Sequence, residues 1–140
     1  ANGGKIMVPH VVDRTVDQDG NVLSRTTPKV WRQALQPATA LTLTDLMIQV
    51  VNQGTARCCM QLANGIQAAA KTGTAQLNPE GSPPASHAWI IAFAPAQAPR
   101  YAIAVMVKAT PEVTAGTGGT VAGPIAKQVL DFALSLPDSA

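Results

Sequence analysis

A chain of 140 residues is long enough to fold as one domain around a real core. Its apolar share, 46%, is ordinary, but its charged share, 13%, is about half the usual ~25%, so either some apolar surface is covered by other protein or the surface is simply quiet. Ten basic and eight acidic residues are scattered without a basic run, which excludes a nucleic-acid-binding surface.

The longest strongly apolar stretch, Tyr101 to Val107, is far short of the ~20 residues that span a bilayer. The chain opens on Ala1-Asn2-Gly3-Gly4, not on Met, and reads as mid-domain sequence.

Ile6 to Leu23 reads as an extended stretch and then a hairpin, with Asp19-Gly20 at the turn. Ser24 to Ala38, with Pro28 and Pro37, reads as a loop anchored by a buried Trp31. A helix is expected next, capped by Thr42 with Asp45 in capping-box position. Leu43, Leu46, Met47, Val50 and Val51 form its apolar stripe, and Gly54 ends it as a left-handed cap. Arg57 to Ala63 adds a short helix closed by Gly65. The adjacent Cys58 and Cys59 read as buried thiols, with a bridge to a cysteine outside the chain as the alternative; no zinc ligand set exists.

From Ile66 the period changes. Ile66 to Leu77, His87 to Pro95 and Arg100 to Lys108 are predicted as three strands of one antiparallel sheet. The last two are apolar on both faces, so helices are expected on both sides. Asn78 to Ser86, with three prolines, is an irregular loop. The Gly/Thr-rich segment Thr110 to Gly119 leads into a final helix to about Leu136, with Val121, Ile125, Val129 and Phe132 turned inward. Pro124 is tolerable there because it lies in the first turn. The class is α+β, an antiparallel sheet sandwiched between helices.

Chemistry concentrates at Lys71-Thr72-Gly73-Thr74 in the first of the three strands. Lys-Thr-Gly alone occurs by chance in roughly a few per cent of chains this long. A solvent-facing strand with a bulge at Gly73 is therefore one reading. The other is a ligand site, since a strand glycine permits close backbone approach. One cation and two hydroxyls suit a carboxylate, and the strand's backbone suits an extended peptide.

Gly116-Thr117-Gly118-Gly119 lacks the third glycine of a dinucleotide turn and reads as a flexible loop at the mouth of the site. His10, with Asp13 nearby, and His87 read as hydrogen-bonded structural residues, and Trp89 as a core anchor.

Lys-Thr-Gly, with Ser-x-x-Lys and a Ser-Asp-Asn type element, belongs to the signature of penicillin-binding proteins and class A β-lactamases. The chain resembles the class B penicillin-binding proteins well beyond that tripeptide: in Asn2-Gly3-Gly4 with Pro9 and the Asp19-Gly20 hairpin, in Val50-Val51-Asn52-Gln53-Gly54-Thr55-Ala56, in Ala70 through Gln76, and in His87-Ala88-Trp89 through Phe93-Ala94-Pro95. Within the family it is most similar to the actinobacterial penicillin-binding protein A group. The resemblance implies that residues 1–140 are the C-terminal part of one D,D-transpeptidase domain.

It also implies roles. Lys71 would polarise the serine of Ser-x-Asn, Thr72 and Thr74 would bind a terminal carboxylate beside Gly73, and the Thr74 N–H would form half of an oxyanion hole. The implied partners are stem peptides ending in D-Ala-D-Ala, β-lactams, and the N-terminal part of the same protein carrying Ser-x-x-Lys and Ser-x-Asn. The implied setting is the outer face of the cell membrane, in cell-wall synthesis, with no cofactor or metal and with the anchor elsewhere. Ser24, Ser82, Ser86, Ser135 and Ser139 all lack a Lys three residues later, so the nucleophile is expected outside these 140 residues. A non-catalytic scaffold of the same fold, a β-lactamase and a D,D-carboxypeptidase stand as alternatives.

Overall fold

The structure is a computed structural model that describes residues 1–79, 85–110 and 116–137. Backbone contacts divide it into two units, Asn2–Leu41 and Thr42–Ala140 with Ala1.

The first unit holds two small antiparallel pairs. Strand β1 (Lys5–Met7) pairs with β4 (Val30–Gln33), and β2 (Arg14–Val16) pairs with β3 (Val22–Arg25). The β2–β3 hairpin is the expected one: Gly20 takes a φ of +86°, which its missing Cβ permits, and the Asp17 carboxylate accepts the N–H groups of Asp19 and Asn21 across the turn. Trp31 departs from expectation, because it lies on a strand and is 65% exposed, with Arg32 stacked over its ring.

Helix α1 runs Pro37–Asn52, so Thr42 is not its cap but lies inside it. Pro37 starts it, since the first helical position needs no N–H and welcomes a fixed φ. Val51 is buried and Met47, Ile48 and Val50 pack inward, whereas Leu43 and Leu46 of the expected stripe are exposed. Gly54 is not in the left-handed region; a Cβ there would lie 2.8 Å from the Val50 Cα, so glycine is required by close backbone approach. The expected helix from Arg57 is instead a run of turns, followed by a 3₁₀ turn (Ala63–Gly65) with Gly65 at φ +68°. Cys58 is exposed and Cys59 buried, both as free thiols; burial, then the hydrogen bond and charge of Cys58, pushes the Cys59 thiol up to about 12.

Strands β5 (Ala69–Gln76), β6 (Ser86–Ala94) and β7 (Tyr101–Val107) form the expected antiparallel sheet in the order β5-β6-β7. The tips of the expected loops, residues 80–84 and 111–115, fall outside the described residues. A π-helical turn (Gly118–Ala122) leads into α2 (Gly123–Ser135). It is no flexible loop: Thr117 and Thr120 cap it reciprocally, and Gly118 and Gly119 are buried.

The core lies between α2 and one face of the sheet, built from Ala70, Ala88, Ile90, Ala92 and Ala94 against Ala122, Ala126 and Leu130. Of the residues expected to turn inward, Val121 packs against this core, but Ile125, Val129 and Phe132 are exposed, Phe132 by 67%, so the face expected of α2 itself is reversed. Both stripes are apolar at helical spacing. The alanine stripe wins because small side chains allow close approach: a Cβ on Gly123 would already meet Cys59 Sγ at 2.5 Å. On the opposite face of the sheet α1 covers only one end, where Met47 and Ile48 pack on Ala69 and Phe93. The sheet is thus between helices, but Trp89, Ile91 and Met106 on that second face stay open.

Candidate functional site

Small residues begin β5. Ala69 and Ala70 are fully buried and seat the strand deep in the sheet, and from Lys71 onward it rises to the surface. Its partners on β6 are Ile91 for Lys71, Ile90 for Thr72, Trp89 for Gly73 and Ala88 for Thr74. The other edge of β5 carries no strand among the described residues.

Just past the paired strands, the Leu77 N–H donates to the Ala85 carbonyl at 2.9 Å. In an antiparallel ladder directly bonded pairs alternate with unbonded ones. Carried back along the register, the bonded members are Ala75, Gly73 and Lys71. The N–H and C=O groups of Ala70, Thr72, Thr74 and Gln76 therefore point away from β6; those of Ala70 are buried, and those of Thr72, Thr74 and Gln76 line the open edge.

Side chains alternate as well. Lys71 and Gly73 stand on the face shared with Trp89, and Thr72 and Thr74 on the face shared with Ala88 and Ile90. The exposed Lys71 curls back so that Nζ donates to the outward Thr72 carbonyl at 2.7 Å. Thr72 Oγ1 lies 2.6 Å from Thr55 Oγ1, in the turn after α1. A Cβ on Gly73 would meet only the Trp89 Cβ, at 3.3 Å. Behind this pair sits Gly118: a Cβ there would lie 2.8 Å from the Gly73 carbonyl oxygen and 2.9 Å from its nitrogen. All four residues singled out in the sequence are thus on one accessible strand edge that presents an ammonium group, two hydroxyls and outward N–H donors.

Other readings fare differently. His87 is a hydrogen-bonded structural residue, with Nδ1 accepting the Ala109 N–H at 3.1 Å, whereas His10 is exposed. Trp89 is 40% exposed and no core anchor. A shallow hollow of about 350 Å³ on the open sheet face, lined by Met47, Ile91, Phe93 and Ala104 among others, is apolar. Among the described residues no three His, Cys, Asp or Glu groups gather as a metal would need, and no helix is long and apolar enough to cross a membrane. The sequence reading missed Thr55 at the site, and it placed Gly118 there only in a flexible loop, not packed against β5. Their contacts join elements far apart in the chain, and such pairs leave no periodic signal.

The penicillin binding protein transpeptidase domain matches residues 1–131 of the chain. The peptidoglycan D,D-transpeptidase PbpA of Mycolicibacterium smegmatis is 42% identical over an alignment of 139 positions that covers 96% of this chain and 27% of that protein. Its namesake in Mycobacterium tuberculosis is 41% identical over 138 residues, again 96% of this chain and 27% of the relative. The solved structure of penicillin-binding protein A from M. tuberculosis, a ceftriaxone acyl-enzyme complex, superposes with a TM-score of 0.79 at 38% identity, covering 96% of this chain and 29% of that one. The chain spans about a quarter of the length of the curated relatives it matches.

Proposed function

This chain belongs to the penicillin-binding-protein transpeptidase family, and from that premise we propose that it supplies the substrate strand of a serine D,D-transpeptidase that cross-links peptidoglycan. The nucleophilic serine is supplied by the N-terminal part of the same protein, on Ser-x-x-Lys, since none of the serines in these 140 residues has a Lys three positions later. The protein works on the outer face of the cell membrane, held by an anchor outside these residues.

The serine oxygen adds to the carbonyl carbon of the terminal D-Ala-D-Ala bond. The tetrahedral oxyanion is held by the serine's own N–H and the outward Thr74 N–H. Collapse breaks the C–N bond and the leaving D-Ala amine takes the proton that the serine gave up on attack; a second stem peptide's amine then displaces the serine from the ester, and its proton returns to the serine oxygen. Lys71 holds and polarises the Ser-x-Asn serine that relays protons, and the Thr72 and Thr74 hydroxyls bind the carboxylate of the terminal D-Ala. β-Lactams enter by the same route, and the relative of known structure was captured as an acyl-enzyme.

The observation that carries this reading is the open edge of β5, with the Thr72 and Thr74 backbone groups turned outward and the Lys71 ammonium 2.7 Å from the Thr72 carbonyl. Exposed large apolar side chains, among them Trp31, Leu41 and Phe132, support a surface that other parts of a larger protein cover.

Labelled penicillin tests the proposal. The full-length protein should hold the label after denaturation, and the 140-residue chain should not. A labelled chain alone would place a nucleophile inside these residues. An unlabelled full-length protein would favour a scaffold. Release of D-Ala with an amine acceptor, compared with water, separates transpeptidase from carboxypeptidase.

A further inference from the structure

A threonine hydroxyl has one proton to donate and two lone pairs to accept. With 2.6 Å between Thr72 Oγ1 and Thr55 Oγ1, one of these hydroxyls donates to the other. The two arrangements have opposite consequences. When Thr72 donates, its proton is used within the chain and an arriving carboxylate meets only lone pairs. When Thr55 donates, Thr72 keeps its proton, and its donor strength rises because its oxygen already accepts a hydrogen bond.

Nothing else among the described residues takes the Thr55 hydroxyl. Its backbone is also held from two sides. The Ala56 N–H bonds back to the Val50 carbonyl of α1 at 3.1 Å, and Ala56 is fully buried. On the other side the π-helical turn presses close, so that a Cβ on Gly119 would stand 2.5 Å from the Thr55 carbonyl oxygen. The hydroxyl is therefore presented by a fixed turn, which makes it suited to orient a neighbouring group without reorganising.

We propose that Thr55 is a positioning residue: its hydroxyl donates to Thr72 Oγ1, fixes that side chain and reserves the Thr72 proton for the carboxylate of the acyl donor. This rests on the reading of Thr72 as a carboxylate ligand. Thr55 itself touches no reacting atom. Its effect appears only with ligands that carry a free carboxylate.

The experiment measures acylation of the full-length protein by benzylpenicillin and by its methyl ester, which lacks the anionic carboxylate. Thr55→Val, isosteric but without a hydroxyl, is expected to lower the second-order rate with the free acid by about tenfold, the scale of one weakened charge-assisted hydrogen bond. The loss should lie in binding and not in the limiting acylation rate, the ester should slow by less than about twofold, and Thr55→Ser should restore the wild-type rate.

Thr72→Val should show the same selectivity for the free acid, and the double variant should be no slower than Thr72→Val. Equal slowing of acid and ester by Thr55→Val, or slowing of neither, overturns the proposal. If Thr72→Val is selective and Thr55→Val is not, the positioning role alone falls. If Thr72→Val leaves the free acid unaffected, the carboxylate reading falls and takes this one with it. Melting temperatures are measured throughout, with Thr55→Ala as a second hydroxyl-free variant; if neither folds, Thr55 is structural and the proposal is overturned.

Discussion

A methyl group placed on Gly118 would stand 2.0 Å from the carbonyl oxygen of Trp89. The π-helical turn thus rests on the backbone of the bonded pair Gly73 and Trp89, with no room for a side chain between them. The back of the site is glycine against peptide bond.

Gly118→Ala should therefore act at a distance from any ligand. The turn or the strand pair must shift, at a cost of ~1–3 kcal/mol for overpacking. In the full-length protein we expect a lower melting temperature together with slower β-lactam acylation, because β5 moves with the pair. A variant that matched wild type in both would show that the turn yields freely.

Gly73→Val is the complementary case. Gly73 lies outside the left-handed region, and a Cβ there meets only the Trp89 Cβ at 3.3 Å, so a β-branched residue is sterically close to acceptable and favoured in a strand. Folding should survive while acylation falls by about tenfold or more, for a side chain then stands where the ligand must approach. Normal acylation by this variant would rule out close approach at Gly73.

Lys71→Ala should slow acylation by about 10²-fold, typical of a lost proton-transfer or electrostatic group. Among the described residues the exposed side chain bonds only to the neighbouring carbonyl of Thr72, so the melting temperature should hardly change. Unchanged kinetics would return Lys71 to being a surface residue of the strand.

Acid stability should report on Asp131. Burial is the largest influence on its carboxyl and raises the pKa, but the Lys127 ammonium and the Ala63 N–H together outweigh it and hold the group below the ordinary carboxylate range. A carboxylate depressed in the folded state contributes stability that is fully present above its unfolded value and is lost as pH falls through the folded one. Asp131→Asn should cost ~1 kcal/mol at neutral pH and flatten the loss of stability below about pH 4. Denaturant unfolding from pH 7 to pH 3 measures both; an unchanged acid limb would remove Asp131 from the account.

The legible parts of the fold are those with a short period. Three strands fall within about three residues of their expected ends because apolar runs and prolines bracket them. Lys71-Thr72-Gly73-Thr74 stands out in the sequence as a candidate site because a glycine among polar residues inside a strand is locally anomalous. Helix faces were not legible. In α2, Ile125, Val129 and Phe132 compete with Ala126 and Leu130 at helical spacing, and side-chain size, not hydropathy, decides which turns inward. The start of α1 was obscured because Pro37 reads as a breaker when it is in fact the first helical residue. Thr55 and Gly118 reach β5 from other elements, and sequence spacing carries no trace of that.

The open edge of β5 also works as a ruler. Its outward N–H and C=O groups belong to every second residue, Thr72, Thr74 and Gln76, so its marks are about 6.6–6.8 Å apart. A partner strand can slide along such an edge only in steps of two residues, because a step of one turns all its side chains to the opposite face. A peptide fixed at one end by its charge and paired along such an edge would thus be held in a single phase, and one residue more between the fixed point and the edge would pair only with its side chains turned to the opposite face.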